Sequence, residues 1–157
     1  MSPPRILCDE MLTGLGRWLR AAGYDALIAA PGTADRVLLK QALAEDRLLI
    51  TRDRKLMEMR HAAEVALLIS ANELEDCIAE LNQALAIDWQ LAPFSRCLLC
   101  NMPLELADHA ICQRVPADVQ AVNTQILYCP RCDKAYWQGS HTTRMAIKLA
   151  AFKRLGV

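Results

Sequence analysis

This chain of 157 residues has few aromatic residues, no net charge and no long apolar run, and these shortages limit its core composition and its possible partners. Phe, Trp and Tyr make up only 5% of the chain, so Leu, Ala, Ile and Val must fill the core. The formal net charge is zero, so total charge argues neither for nor against a nucleic-acid partner. The longest uninterrupted apolar stretches are about five residues, whereas a membrane span needs roughly 20. The first residues lack the pattern of a signal peptide. We therefore expect a cytoplasmic protein without a membrane partner.

The chain carries enough apolar sequence for an ordered domain. Apolar residues are 54% of the chain and charged residues 23%, which excludes intrinsic disorder. The length suits one domain, or one domain with a small appendix. Seven cysteines in a reducing compartment are interpreted as metal ligands or buried thiols before disulfides.

Charge is distributed unevenly along the chain. Residues 1–90 carry ten Lys/Arg against fourteen Asp/Glu, and residues 91–157 carry eight against four. Between Arg131 and Arg154 six basic residues accompany a single acid. A basic C-terminal part of this kind indicates a site for a polyanion, and a solvated helix face is the alternative interpretation.

Strands and helices are predicted to alternate up to about residue 88. Short apolar runs at 5–8, 26–30, 48–51 and 65–69 are typical of buried strands, and amphipathic stretches between them predict helices. Strands that are apolar on both faces indicate an α/β fold with a parallel sheet covered by helices. Pro93 and the first cysteine pair mark a change in composition, so we place a domain boundary near residues 90–96, between a domain at 1–90 and a second part at 91–157.

Three aspartates are predicted to meet at one edge of this sheet. Asp9 and Asp53 follow the first and third strands, and Asp35 lies beyond the second. Ligands of open α/β sheets bind beyond the carboxyl ends of the strands. Clustered carboxylates favour Mg²⁺ or Mn²⁺, which promote phosphodiester hydrolysis. In the alternative interpretation Asp35 is a helix N-cap and Asp53 a loop acid.

Four arginines accompany these acids in the sequence. Arg52 and Arg54 flank Asp53, and Arg17 and Arg20 lie on the predicted first helix. A guanidinium fork suits phosphate oxygens, so these side chains are candidate nucleic-acid contacts. Arginines are also ordinary surface residues, and that alternative stays open for Arg17 and Arg20.

Two CxxC pairs predict a structural zinc site. Cys97 and Cys100 form one pair, and Cys129 and Cys132 form the other, with 28 residues between the pairs. Two such turns complete a tetrahedral Zn²⁺ site, and the gap has room for a small β-hairpin. A redox dithiol is the alternative.

Aromatic and basic residues follow the second cysteine pair. Trp137 and His141 precede Arg144 and Lys148, which lie on a predicted helix capped by Ser140. Aromatic residues beside basic ones suit stacking on unpaired bases, so these four are candidate nucleic-acid contacts. The alternative is that Tyr136 and Trp137 pack against the zinc knuckle. Apolar residues in this helix, at 145, 149 and 152, form a stripe that should pack inward.

Several of these segments together resemble one family. They are residues 8–12 (CDEML), 16–20 (GRWLR), 23–25 (GYD), 49–54 (LITRDR), 96–97 (RC), 100–101 (CN), 129–132 (CPRC) and 136–141 (YWQGSH). This combination, which spans nearly the whole chain, resembles the Mut7-C ribonuclease domain family.

The resemblance implies a PIN-like nuclease domain joined to a C-terminal zinc ribbon with a terminal helix. It implies metal-dependent hydrolysis of RNA, with tRNA and rRNA among the candidate substrates. By position, the acidic site comprises Asp9, Asp35 and Asp53. PIN nucleases usually use four acids; we expect Glu10 to point elsewhere, and Glu45 and Asp46 lie at the wrong end of a strand.

Two further functions compete with catalysis. The chain could be a non-catalytic RNA-binding or ribosome-associated module whose acids are vestigial. It could also be an adaptor whose acidic half docks onto a basic protein. Neither the oligomeric state nor the cleavage specificity follows from the sequence.

Overall fold

A four-stranded parallel sheet forms the centre of the protein, as the alternating pattern predicts. The computed structural model describes residues 2–122 and 125–157. Strands β1 (Arg5–Cys8), β2 (Ala26–Ile28), β3 (Arg47–Thr51) and β4 (Ala66–Leu68) pair in the order β2-β1-β3-β4. All three pairings are parallel. After β2, the chain crosses to the other side of β1 to form β3, so the connections leave β1 in opposite directions. The carboxyl ends of β1 and β3 therefore border a crevice at the centre of the carboxyl edge of the sheet.

Helices cover both faces of the sheet. Helices α1 (Thr13–Ala22) and α5 (Leu74–Ala84) lie on one face, where Leu15, Leu19 and Ile78 pack with Ile6 and Ile50. Helices α2 (Asp35–Glu45), α3 (Arg54–Met57) and α4 (Ala62–Val65) cover the other face, packing on Leu7 and Leu49. Neighbouring strand residues point to opposite faces, so the inner positions of both central strands, residues 6–8 and 48–50, are apolar.

Short turns precede or separate several helices. A 3-10 turn (Glu10–Leu12) precedes α1, and Met11 in this turn is 61% exposed. Helix α3 stops at Met57, and α4 is a separate turn. Helix α5 begins at Leu74, and the backbone N–H groups of Ser70 and Ala71 before it donate to the Glu80 carboxylate.

The end of α1 is shaped by a close approach of the following segment. Gly23 has a φ of 107°, which favours glycine, and a Cβ there would lie 2.6 Å from the carbonyl oxygen of Ala92. The backbone N–H groups of Ala92 and Phe94 donate to the carbonyls of Ala22 and Ala21. The linker between the two parts of the chain is therefore fastened along α1.

A small antiparallel sheet forms the second part. It contains β5 (Glu105–Leu106), β6 (Leu127–Cys129) and β7 (Lys134–Tyr136) in that order. Helices α6 (His109–Cys112) and α7 (Ala117–Val122) lie between β5 and β6. The described part of the segment between the cysteine pairs thus contains the antiparallel pair of β5 and β6, with α6 and α7 between these strands.

The C-terminal helix α8 (Ser140–Phe152) returns to the first sheet. Leu149 and Phe152 are buried in the core of α1 and α5, and Met145 packs against it, which confirms the predicted stripe. The Phe152 ring lies edge-on to Trp18 and Trp89, with centroids 4.9 and 5.3 Å apart. The boundary near residues 90–96 stays a prediction, but the hydrophobic core extends across it.

Among residues 2–122 and 125–157, no helix combines the length and the apolar character that a membrane crossing requires.

Candidate functional site

The three predicted aspartates line one pocket at the carboxyl edge of the sheet. The pocket measures about 60 Å³, and Asp9, Asp35 and Asp53 all contribute to its wall. This volume accommodates an ion with a few waters but not a nucleotide. The parallel sheet brings together residues that are up to 44 positions apart in the chain.

Asp9 is held rigidly at the end of β1. Its Oδ2 accepts hydrogen bonds of 2.7 Å from the Thr51 hydroxyl and from the Arg52 backbone N–H. Its Oδ1 accepts from the Met11 backbone N–H at 3.0 Å and so caps the 3-10 turn. The side chain is buried. A carboxylate offers about four lone-pair positions, so one position on Oδ1 is left for a ligand.

Asp53 caps the next helix from the neighbouring strand. Its Oδ1 accepts from the Lys55 backbone N–H at 2.9 Å, which makes it the N-cap of α3. Its own backbone N–H donates to the Thr51 hydroxyl at 3.0 Å. One Thr51 hydroxyl therefore joins Asp9 and Asp53. Among the described residues, no backbone N–H donates to Oδ2 of Asp53.

Asp35 is not the N-cap that the alternative interpretation expects. Ala34 holds the cap position of α2, and Asp35 is the first helical residue. Burial, a hydrogen bond with the Asp53 carboxyl group and the charges of Asp53 and Asp9 raise the pKa of Asp35 above its ordinary value. The carboxylates repel one another, and a cation between them would remove that repulsion.

Glu10 corrects one expectation. It is adjacent to Asp9 and is expected to point elsewhere, yet it lines the same pocket, and its Oε2 accepts from the Gly32 backbone N–H at 2.8 Å. The chain leaves the extended conformation after Asp9 and enters a 3-10 turn, so the strict alternation of side chains along a strand no longer applies to Glu10. Glu45 and Asp46 lie at the opposite edge, before β3, as expected. The sequence signal for Glu10 is only its adjacency to Asp9.

The acidic side chains surround the pocket without converging on one point. Across the described chain, the four cysteines are the one group of three or more His, Cys, Asp or Glu residues whose ligand atoms all lie within 4.8 Å of one another. The three hydrogen bonds to Asp9 keep it at the wall of the pocket.

Arg20 is not available to RNA, which corrects the prediction for this residue. It is only 6% exposed, and its Nε donates to the Ala26 carbonyl at 2.7 Å. Its Nη1 donates to the carbonyls of Leu98 and Leu99 at 2.9 and 3.1 Å. Both carbonyls belong to the first cysteine turn, so Arg20 fastens that turn to α1 and β2.

The other three arginines stay near the site. Arg52 is half-buried, and its Nη2 donates to the Asn72 side chain beyond β4; its buried Nε has no hydrogen-bond partner among the described residues. Arg54 and Arg17 are exposed, in the first turn of α3 and on α1 respectively. Their predicted role in RNA binding remains a prediction.

The four cysteines converge as the CxxC spacing predicts. The Sγ atoms of Cys97 and Cys132 are 3.8 Å apart, and those of Cys100 and Cys129 are 3.4 Å apart. Four sulfurs at the usual Zn–S distance of about 2.3 Å form a tetrahedron with edges of about 3.8 Å. The cluster is therefore compatible with a tetrahedral zinc site.

Hydrogen bonds favour a thiolate at Cys97. Burial alone would raise the pKa of this thiol, but the Tyr136 hydroxyl and the backbone N–H groups of Cys100 and Leu99 lower it to about 6. The Tyr136 oxygen lies 3.1 Å from Cys97 Sγ. The alternative interpretation, in which Tyr136 and Trp137 pack against the zinc knuckle, therefore holds for Tyr136. It does not hold for Trp137, which is 37% exposed.

Asn101 completes the attachment of the cysteine turn to the sheet. Its Oδ1 accepts from the Ala26 backbone N–H at 3.0 Å, and its Nδ2 donates to Asp25 Oδ1 at 2.7 Å. Asn101 has a φ of 74°, a left-handed conformation that asparagine tolerates. Edge strand β2 is therefore bonded to the residue that directly follows Cys100.

The predicted contacts of α8 lie on its exposed side. His141, Arg144 and Lys148 are exposed, and Lys148 Nζ lies 5.8 Å from the centroid of the Trp18 ring. Gly139, not Ser140, is the N-cap, and no side chain caps the helix.

Comparison with known proteins gives one match. The sequence model of the Mut7-C RNAse domain matches residues 4–149. No curated protein and no solved structure matches the chain. The family description indicates a ribonuclease-type function with RNA as substrate or partner. Since the match covers 146 of 157 residues, the chain belongs to the Mut7-C RNAse domain family.

Proposed function

We propose that this protein is a metal-dependent ribonuclease with a PIN-like catalytic domain. The observation that carries the proposal is the single pocket at the carboxyl edge of the sheet, lined by Asp9, Asp35 and Asp53. Glu10, which lines the same pocket, is the candidate for a fourth acid. The family match supports the choice of RNA as substrate, and tRNA and rRNA are the candidate classes.

The donor set fits a hard divalent cation. Mg²⁺ and Mn²⁺ prefer carboxylate oxygens and retain waters, and the pocket offers carboxylates with room for water. The raised pKa of Asp35 reflects burial and crowding of acids that a cation would relieve. Asp9, Asp35 and Asp53 would hold the metal, with Glu10 reaching it directly or through water.

The chain's own residues position and polarise the substrate. Thr51 and the Arg52 backbone N–H fix the orientation of Asp9, so its free lone pair points at one place. Arg52 and Arg54, at the carboxyl end of β3, are placed to receive the negative phosphate oxygens of the chain being cut. When bound, a divalent ion supplies a water of lowered pKa and neutralises charge that develops on the phosphate.

The second part of the protein binds zinc and RNA in this proposal. Cys97, Cys100, Cys129 and Cys132 would hold one structural Zn²⁺, a role that a reducing cytoplasm permits because the cysteines stay reduced there. Trp137, His141, Arg144 and Lys148, together with Arg17, are the proposed RNA contacts.

The test compares two helix-capping aspartates. Asp53→Asn removes one ligand charge, while asparagine still caps α3, so the fold should be kept. Asp108→Asn is the matched control, because Asp108 caps α6 in the same way, far from the pocket. We expect Mg²⁺- or Mn²⁺-dependent cleavage of RNA by the wild type and the control, and none by Asp53→Asn.

Two outcomes would contradict the proposal. Full cleavage by purified Asp53→Asn would show that the pocket is not the catalytic site. Absence of cleavage by every variant, with RNA binding retained, would favour the non-catalytic RNA-binding or ribosome-associated module.

A further inference from the structure

A second, larger hollow lies between the first sheet domain and the zinc ribbon. It measures about 660 Å³ and is bounded by the N-terminal half of α1, by β7 and by the first turn of α8. Pockets of roughly 300–1,000 Å³ accommodate ligands of drug size, so a nucleotide fits. We call this hollow, lined among others by Gly14, Arg17, Lys134, Trp137 and His141, the α1–ribbon groove.

We propose that the α1–ribbon groove binds an unpaired stretch of the RNA substrate and so directs the enzyme to single-stranded RNA. The proposal rests on the proposed function and adds the class of substrate to it. Three features of the groove support it: its charge, a free aromatic face and its position beside the acidic pocket.

The described residues that line the groove include basic side chains and no acidic one. Among the described residues that form it are Arg17, Arg96 and Lys134, together with His141, and none is Asp or Glu. Arg96 is partly engaged, because its Nε and Nη1 donate to the carbonyls of Gly23 and Asn101. Arg17 is exposed and makes no hydrogen bond or ion pair with any residue that the structure describes. Arg17 is therefore free to meet a phosphate.

Trp137 offers a partly exposed aromatic ring to the groove. It is 37% exposed, and no ring or cation stacks on it within residues 2–122 and 125–157. Trp18, the other tryptophan of the groove, already contacts Lys148 and Phe152. Bases stack on such exposed rings with little dependence on sequence, which suits binding of an unpaired strand.

The first turn of α8 adds to the positive potential. Gly139 caps this helix of 13 residues without a side-chain hydrogen bond, and Gly139, Ser140 and His141 all line the groove. Unpaired N–H groups at a helix start attract anions, here alongside the charged side chains.

The groove begins one helical turn from the acidic pocket. Met11 lines the acidic pocket and Gly14 lines the α1–ribbon groove. Residues three apart on a helix are about 5–6 Å from each other, so one strand crossing the exposed Met11 would enter both hollows. Paired bases in a duplex cannot reach Trp137, because they are stacked inside the helix. The arrangement therefore selects an unpaired strand.

Binding without added divalent metal tests the groove apart from cleavage. The zinc-loaded chain of 157 residues is titrated into a labelled oligoribonucleotide of about 12 nucleotides, single-stranded or as a duplex, and anisotropy is measured at several salt concentrations. Trp137→Ala should weaken single-strand binding at least about fivefold, and Trp137→Phe should restore most of it. Arg17→Ala should lower the salt-dependence slope by about 0.7, whereas exposed Arg60→Ala should not change it.

Gly14 provides a variant that does not threaten the fold. A Cβ at Gly14 meets nothing within 4 Å, and replacing glycine inside a helix favours the helix. Gly14→Glu places a carboxylate at the groove and should weaken single-strand binding about three- to tenfold. Gly14→Gln, the neutral control of the same size, should weaken binding clearly less than Gly14→Glu does.

The outcomes separate this proposal from the proposed function. Losses confined to the single strand in Trp137→Ala, Arg17→Ala and Gly14→Glu support the groove. Wild-type affinity in all three, equal losses on the duplex, or no single-strand binding by the wild type would overturn it. A failure of the proposed function appears instead as cleavage by Asp53→Asn, which leaves these affinities unchanged.

Discussion

Thr51 donates its hydroxyl proton to Oδ2 of Asp9 across 2.7 Å, and both side chains are buried. The same hydroxyl oxygen accepts from the Asp53 backbone N–H at 3.0 Å. Two acids that directly follow or lie just beyond neighbouring strands are thus joined through one uncharged side chain.

Removing that hydroxyl should cost stability and activity together. Thr51→Val keeps the shape but leaves Asp9 and the Asp53 N–H each short of a partner, so we expect a loss of about 1–3 kcal/mol in the free energy of unfolding. Chemical denaturation measures it. Thr51→Ser, which keeps the hydroxyl and loses one methyl group, should cost only about 1 kcal/mol. Equal stability of the Val variant and the wild type would show that the bond contributes nothing.

The cysteine cluster should carry about one Zn²⁺ per chain. Cys132→Ser should lower the zinc content measured by elemental analysis, because it removes one of four ligands. Cys112 is also half-buried but lies outside the cluster, so Cys112→Ser should keep the metal. Because the first cysteine turn is bonded to Arg20 and Ala26, chelation should also lower the melting temperature of the parallel sheet. Zinc-free protein that melts unchanged would contradict this coupling.

Arg20 should behave as a structural residue. Arg20→Ala leaves the carbonyls of Ala26, Leu98 and Leu99 without their donor, and we expect a loss of about 2–4 kcal/mol in unfolding free energy. Arg17→Ala, three residues earlier on the same helix and exposed, should change it by less than about 0.5 kcal/mol. Denaturant unfolding of the two variants measures these losses. If Arg20 were an ordinary surface residue, Arg20→Ala and Arg17→Ala would have the same free energy of unfolding.

The free energy of unfolding should fall at acid pH, in part because the Asp25 carboxylate becomes protonated. Burial raises the pKa of this carboxyl group, but hydrogen bonds and charge from Arg47, Asn101 and Arg5 lower it to about 2. A pKa lowered by folding stabilises the protein above the unfolded value near 4, and this contribution disappears as the pH falls towards 2. We expect Asp25→Asn to be less stable than the wild type by roughly 1–2 kcal/mol at about pH 6, with the gap narrowing by about pH 2.5.

Acid also releases metal from thiolates, which lowers the stability of every variant. The effect of Asp25 therefore has to be measured as a difference between variants at the same pH. Asp88→Asn, at an exposed aspartate with no ion pair to any described residue, serves as the control for effects of acid that all variants share. A stability gap between Asp25→Asn and the wild type that stays constant from about pH 6 to about pH 2.5 would rule out the linkage.

The basic residues of α8 should contribute to RNA binding through charge. Changing Arg144 and Lys148 to Ala should lower the slope of log affinity against log salt by roughly 1.4 to 1.8, since each phosphate contact contributes about 0.7 to 0.9. Arg144→Ala alone should leave the melting temperature unchanged, whereas Lys148→Ala loses its contact with the Trp18 ring, worth about 0.5–1 kcal/mol. Lys40→Ala, on the opposite layer, should leave the slope unchanged. Identical slopes for the double variant and the wild type would identify this face as ordinary solvated surface.

Local patterns were sufficient for the scaffold and for the metal-ligand set. Apolar runs such as residues 5–8 and 48–51 alternate with predicted helices, and buried parallel strands need apolar residues on both faces. Two CxxC turns likewise define a tetrahedral set of thiols wherever the second part of the chain lies. The carboxyl-edge rule placed Asp9 and Asp53 together because parallel strands share one direction.

Side-chain partners at long range followed from packing and could not be inferred from local sequence. Arg17 and Arg20 are three residues apart on one helix, yet one is exposed and the other donates to carbonyls 78 and 79 residues away. The sequence of α1 is equally compatible with both outcomes, because burial of an arginine depends on which carbonyls the distant cysteine turn presents. Strand order, which the sequence pattern indicates, determines where the acidic pocket lies. Three further features depend on the tertiary structure: Glu10 in the pocket wall, the Thr51 hydroxyl between Asp9 and Asp53, and the α1–ribbon groove. The groove exists because α8 and the ribbon pack beside α1, and no local pattern in the sequence specifies that packing.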